Sequence, residues 1–388
     1  MSGKHLPKEI AAAGQICRRC RAAEAFLVVR TEPLCRDCFI KYVHTKVIKR
    51  MESFRVRFSA VDQSRKLLLP VSFGVSSLTL LHVLDQHLSK QKERTGRTGF
   101  ELQLLFVDTS SVERASPEPQ LVSLLKGQFP DHSCTSVFLS SIFEDESTDS
   151  EADFREYLPA VAQADAQPPS AEQRLEHLMK SLPSATARSD VMSVLRTRLI
   201  AKIAEEKGCE GILWGDCTTR LAEKTLAETA KGRGFSLPWQ VIDGDSPYGI
   251  AFNYPLRDLL KKELTAYADM ANPPFSSLIH RSPGSGQLSV SSKHTTIDDL
   301  MKQYFESVEE NYPSIVANVV RTTSKLQAPP SQRTDQFCRL CNMPVTNGKF
   351  GIHGWGGDQQ DSTDALPELS GNGLCYGCAR SLPQVTAL

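Results

Sequence analysis

Eight of the eleven cysteines fall into four C-x-x-C pairs, Cys17/Cys20, Cys35/Cys38, Cys338/Cys341 and Cys375/Cys378, leaving Cys134, Cys209 and Cys217 alone. Two thiolates three residues apart wrap a turn around one ion, and a second such turn completes a tetrahedron. The N-terminal pairs stand 14 residues apart, a spacing that reads as a zinc site. The C-terminal pairs stand 33 residues apart and bracket the stretch HGWGGD, whose His353 could replace one thiolate. Four-thiolate coordination leaves no open position for water, so such ions stabilise a fold rather than catalyse. Two other readings stay open at this level: redox dithiols, and a cross-pairing in which one N-terminal turn shares its ion with a C-terminal one. The lone cysteines read as core thiols or spectators, with Cys217, after a strand, as the one that could be reactive.

A second chemical candidate is VSFGVSSLTLLHVL, residues 71–84, which follows the apolar run KLLLP. It reads as strand, tight turn and helix. A phosphate cradle needs successive backbone N–H groups at a helix N-terminus and small residues that let oxygens approach. Ser72, Gly74, Ser76 and Ser77 meet that demand and Phe73 does not; a bland strand–turn–helix is the alternative. A third candidate is the segment 41–57, where Lys41, Lys46, Lys49, Arg50, Arg55 and Arg57 oppose only Glu52. Lys46, Lys49, Arg50, Arg55 and Arg57, with Tyr42 and Phe54 interleaved, suit phosphate contacts and stacking on RNA. A solvated helix face is the plainer alternative. Arg18, Arg19, Arg36 and Arg339 beside the cysteines add to the basic inventory. Asp108 could contact a ribose or simply cap a turn, and the nine histidines form no H-E-x-x-H or Ser/His/Asp arrangement.

The elements that must position these residues alternate. Strand-like KLLLPVSF, FELQLLFVDTS (100–110), SCTSVFLSS (133–141) and CEGILWGD (209–216) are interleaved with helical stretches, among them a helix from about Ser76, LRTRLIAKIAEEKG, TRLAEKTLAETAKG and YPLRDLLKKELTAYADM. That alternation predicts an α/β fold, a parallel sheet with helices on both faces. The expected divisions are an N-terminal zinc module (1–40), a basic helix and linker (41–65), an α/β domain (66–278), a flexible loop and helix (279–330) and a C-terminal zinc module (331–388). The α/β domain carries an acidic, partly disordered insertion at about 143–187, rich in Glu and Asp and then in Pro, Ala, Ser and Gln. Lys plus Arg equal Asp plus Glu at 45 each, so any nucleic-acid contact needs a local patch rather than bulk charge. No apolar leader and no membrane-length apolar run is read, which points to the cytoplasm and to no membrane partner.

Three segments together resemble a known family. SFGVSS is similar to the S-G-G-x-D-S loop of the ATP-pyrophosphatase (PP-loop) superfamily, LWGDCTTRLAEKTL to the G-H-N-x-D-D-x-x-E-T-x-L segment of its tRNA-thiolating branch, and YPLRDLLKKELTAYA to the segment that follows it. With cysteine turns at both ends, the chain resembles the non-catalytic companion subunits of that branch over roughly residues 15–380. Several positions depart from the active enzymes. Phe73 replaces a glycine and Ser76 an aspartate; Thr219 and Arg220 replace the paired acids, while Glu223 remains. By register, the enzymes' cysteine pair falls on Ser189 and Met192 and a third cysteine near Asn253. Sulfur transfer needs a thiolate that carries persulfide or holds an iron–sulfur cluster. The resemblance therefore implies no catalytic residue and no independent enzyme, and an ATP site that these departures weaken. It implies a heterodimer with a catalytic tRNA thiolase subunit, tRNA as a partner, and sulfur from a ubiquitin-related carrier through the complex. Two other classes stay open: an ATP-dependent adenylating enzyme with an unusual phosphate loop, and a zinc-binding RNA adaptor.

Overall fold

The computed structural model describes residues 14–56, 65–113, 116–117, 119–144, 169–280, 295–328, 336–345 and 373–382. In chain order the elements begin with a hairpin, β1 (Leu27–Val29) and β2 (Glu32–Leu34), followed by α1 (Arg36–Arg50). Next come β3 (Lys66–Pro70), α2 (Val75–Thr95), β4 (Glu101–Asp108), α3 (Pro119–Gln128), β5 (Ser133–Phe138), α4 (Ala171–Ser181) and α5 (Ala185–Glu206). Then follow β6 (Gly211–Leu213), α6 (Thr218–Ala230), α7 (Leu237–Val241), β7 (Gly244–Asp245), β8 (Ala251–Asn253) and α8 (Lys261–Ala268). The chain closes with α9 (Ile297–Asn311), α10 (Pro313–Thr323), a second hairpin of β9 (Gln336–Phe337) and β10 (Pro344–Val345), and α11 (Tyr376–Ser381).

Six strands form one sheet in the order β5-β4-β3-β6-β8-β7. All its pairings are parallel except that of the edge strand β7. The chain builds outward from β3 through β4 to β5, then returns to the other side of β3 for β6. That reversal creates a crevice at the carboxyl ends of β3 and β6, the place where open α/β sheets bind ligands. Alternate residues of β3 feed opposite cores: Leu68 joins one face, Leu67 and Leu69 the other, and all three are fully buried. Each such leucine stabilises the sheet by about 1.5–3 kcal/mol.

The face containing Leu68 is covered by α5, α6 and the C-terminal cysteine hairpin; that containing Leu67 is covered by α1, α2 and the N-terminal cysteines. The helix expected from about Ser76 is α2, which buries Leu81, Leu84 and Leu88, and Gly96 in the left-handed region (φ 72°) ends it.

Three expectations change. The stretch YPLRDLLKKELTAYADM is helical only from Lys261, because Pro255 starts a turn and Glu263 caps the helix by accepting from Leu260 N at 2.8 Å. The insertion expected over 143–187 ends in ordered helix: Ser170 and Gln173 cap α4 reciprocally, at 3.2 and 2.9 Å, and Leu175 and Leu178 enter the core. The segment expected as flexible loop and helix supplies two helices, α9 and α10, whose Phe305 and Val316 are buried against the α/β core.

Candidate functional site

The sulfurs of Cys17, Cys20, Cys35 and Cys38 lie within 4.8 Å of one another, and so do those of Cys338, Cys341, Cys375 and Cys378. Each end of the chain therefore completes its own set, which removes the cross-pairing alternative. Local geometry repeats between the ends. Arg21 and Asn342, each following the second cysteine of a turn, adopt positive φ (55° and 54°). Their N–H groups donate to Cys17 O and Cys338 O at 2.9 and 2.8 Å, closing the same turn twice. Cys35 and Cys375 each stand at a helix N-cap, α1 and α11 respectively. Four sulfurs this close fit a metal ion by their chemistry. Burial and the neighbouring cysteines push the Cys38 thiol up to about 12, whereas Cys17 is lowered to about 6 because, against its burial, backbone N–H groups including that of Cys20 hold its thiolate. A bound cation would keep all four ionised together. His353 lies outside the described residues.

A cleft of about 930 Å³ opens at the carboxyl ends of β3 and β6. All four expected loop residues, Ser72, Gly74, Ser76 and Ser77, line it. Ser77 Oγ accepts from Ser72 N at 3.3 Å and donates to Gly74 O at 3.1 Å, folding the loop back onto the first turn of α2. Gly74 caps α2 without a side-chain bond, so the helix presents its first N–H groups to the cleft. On the far side, Gly215 leaves no room for a methyl group, whose carbon would sit 2.9 Å from Ser77 Cα.

Phe73 takes the left-handed conformation (φ 56°) that its glycine counterpart would adopt freely. Its ring is 0% exposed and packs edge-on against Phe106 at 5.2 Å, and it does not line the cleft. The expectation that Phe73 spoils the cradle is thus corrected: the ring points into the core and the loop mouth stays open.

The acid positions are occupied differently. Thr219 is fully buried, donates to Glu309 Oε2 at 2.5 Å and accepts from Lys261 N at 3.0 Å. Arg220 donates to Glu223 at 3.0 Å; burial raises the Glu223 carboxyl and the guanidinium only partly offsets it. Two thiols border the cleft, Cys217 and Cys341. Cys217 is 1% exposed and burial pushes it up to about 11, while Cys341 belongs to the C-terminal set. Ser189 lines the cleft, Met192 is buried in the core, and Asn253 ends β8. Glu309 escaped the sequence reading because it lies in α9, ninety residues from Thr219, and no spacing motif connects them.

The basic helix is more committed than its composition suggests. Arg50 pairs with Asp258 at 2.8 Å and Arg55 with Glu52 at 2.5 Å. Tyr42 and Phe54 are buried, so neither offers a ring for stacking on a base. Lys46 lies over the Tyr42 ring at 5.8 Å, Lys49 is exposed at the end of α1, and Arg57 lies outside the described residues. Arg19 pairs with Glu32 at 3.1 Å and Arg36 lies over the Phe26 ring. The inner face of α1 is pinned by a polar chain: Tyr267 Oη lies 2.8 Å from His44 Nε2 and 3.0 Å from His82 Nδ1.

A parallel sheet reversing at β3, a glycine-containing loop opening onto a helix N-terminus, and a second loop closing on it from β6 make an α/β fold of the PP-loop ATP-pyrophosphatase type. The fold matches the solved U34-tRNA thiolase NcsA from Methanococcus maripaludis, determined with its 4Fe-4S cluster, at a TM-score of 0.52 over 83% of this chain and 90% of the other. At 14% identity that likeness is one of fold. The chain belongs to the cytoplasmic tRNA 2-thiolation protein 2 family. A relative of that name from Phaeosphaeria nodorum is 54% identical over 99% of this chain and 98% of its own, and one from Coccidioides immitis is 40% identical over 96% and 98%. The family's own model matches residues 296–380, which include α9, α10 and the C-terminal cysteines.

Proposed function

We propose that this chain is a non-catalytic subunit of a cytoplasmic complex that 2-thiolates the wobble uridine of tRNA. It works beside a catalytic thiolase subunit that receives sulfur from a ubiquitin-related carrier. The observation that carries this reading is the state of the cleft thiols. Sulfur transfer requires an accessible thiolate; here Cys217 is sealed and held neutral, and Cys341 is committed to a four-sulfur set. The two tetra-cysteine sets hold zinc in structural roles, two ions per chain and no iron, as four-thiolate coordination with no open position suits. The tRNA backbone contacts two lysines of α1, half-buried Lys46 and exposed Lys49, rather than the arginines already paired with carboxylates.

The test reconstitutes thiolation with the thiolase subunit, carrier, ATP and tRNA, with and without this chain. Product that depends on both subunits is expected; product from this chain alone overturns the reading, and so does full product from the thiolase alone. The open loop mouth at Ser72–Ser77 favours one second reading, an ATP-dependent adenylating enzyme. Pyrophosphate release by the purified chain, abolished by Gly74→Trp, supports that reading, and silence rejects it.

A further inference from the structure

The C-terminal cysteine set lies against the cleft on the side of the sheet that holds Leu68. Its first turn is gripped by two distant segments. Arg198 of α5 donates to the carbonyls of Arg339 and Leu340 at 2.9 and 3.0 Å. Tyr248, in the β7–β8 turn, donates to Cys341 O at 2.8 Å, and Asn342 Nδ2 donates to Pro247 O at 2.6 Å in the same turn. The second turn and α11 are gripped by α5 again and by the 231–233 turn. Ser381 Oγ donates to Asp190 Oδ2 at 2.9 Å. Gly377 and Gly232 (φ 78°) leave no space for a methyl group: an added carbon would sit 2.5 Å from Arg233 Cγ and 2.7 Å from the Tyr376 ring.

These contacts converge on a buried charge network. Asp190 is bound by both terminal nitrogens of Arg233 and by Lys231 at 3.2 Å. Arg233 and Lys231 also hold Glu228, at 2.7 and 2.8 Å. Burial works against ionisation of Asp190, yet the Arg233 guanidinium holds its carboxyl below the ordinary range. Such a network persists only while it is kept dry and fully paired. Asp190, Lys231, Arg233, Tyr248 and Cys341 all line the cleft.

We infer that the C-terminal tetra-cysteine centre is the clamp of the cleft: by joining the 338–341 turn to α11 it holds α5, the 231–233 turn and the β7–β8 turn in one wall. A helix of six residues such as α11 has no stability of its own. With the cysteines unlinked, the Ser381–Asp190 bond, two glycine contacts and the buried Leu382 must retain it, water reaches Asp190 and Arg233, and the wall loosens. The N-terminal set, against α1 and α2 on the other face, has no part in this wall. The inference rests on the metal reading of the cysteines and is independent of thiolation, because its test contains no tRNA.

Amide hydrogen exchange of the full chain, resolved by segment and read beside metal content, tests the clamp. Cys375→Ser should lose one metal ion per chain and speed exchange about tenfold or more in residues 186–193, 231–237 and 246–250, leaving 36–50 unchanged. Cys20→Ser should do the reverse. Loss of the C-terminal ion with unchanged exchange in those three segments overturns the inference. Since coupling is reciprocal, Ser381→Ala should also weaken the C-terminal set's metal affinity several-fold in equilibrium competition with a chromogenic chelator, with the N-terminal affinity unaltered. That milder variant decides the question even where Cys375→Ser does not fold, because an unaltered C-terminal metal affinity equally refutes the clamp.

Discussion

Phe73 offers a sharp test of the loop geometry, because two truncations of the same side chain should rank in an unusual order. The ring is fully buried and meets Phe106 edge-on at 5.2 Å, so removing it costs about 3–5 kcal/mol in lost burial and cavity formation. Phe73→Ala retains a β-carbon at φ 56°, where an L-residue is penalised by about 1–2 kcal/mol. Phe73→Gly escapes that penalty. Its more flexible unfolded chain returns about 0.4–1 kcal/mol of the gain, leaving the glycine variant about 0.5–1 kcal/mol more stable than the alanine variant. At an ordinary right-handed position the order is the opposite, with glycine the weaker by about 0.5–1 kcal/mol. Urea unfolding of the three proteins, compared by midpoint with slopes checked for equality, reads the difference as roughly 0.2–0.5 M. An alanine variant more stable than the glycine variant refutes the left-handed assignment. A loss below about 1 kcal/mol in both refutes the inward packing of the ring.

Burial, with Lys90, His82 and His87 nearby, pushes His44 down to about 4, so the native protein keeps it neutral while the unfolded chain protonates near 6.5. The unfolded state binds the extra proton, so stability should fall as pH drops from about 6.5 toward 4, by about 1–2 kcal/mol after discounting for partial exposure; melting temperatures at pH 7.5, 6 and 5 should fall less steeply in His44→Phe, and identical slopes would remove His44 as the cause. Cys217, held near 11, should react with iodoacetamide at pH 7.5 on the order of a hundred-fold more slowly than glutathione; alkylation at the glutathione rate would reopen its candidacy as a sulfur carrier. Lys46→Glu combined with Lys49→Glu should weaken tRNA binding by the complex and flatten its salt dependence, by about one unit of slope for each phosphate no longer neutralised. An unchanged slope would return α1 to a solvated face. Arg50→Ala should instead lower stability by about 0.2–1 kcal/mol through the exposed Asp258 pair, with little change in RNA affinity.

What the amino-acid order alone determined is local. Apolar runs separated by helical periods specified a parallel α/β sheet, because a strand buried on both faces must be apolar throughout. Paired cysteines three apart specified turns able to hold a metal ion, because that spacing is set by the backbone within one turn. The placement of Ser72, Gly74, Ser76 and Ser77 in one strand–turn–helix was legible for the same reason. What only the tertiary structure decided involves partners far apart in the chain. Which cysteine turns join is a matter of which ends of the fold meet. The burial of Tyr42 and Phe54 depends on which side of α1 faces the domain, and the inward ring of Phe73 on a φ value that side-chain type does not announce. Glu309 reaches Thr219 from a helix whose packing against α6 no spacing rule encodes. Composition and periodicity fix what a segment becomes; the close packing of the core fixes what it touches.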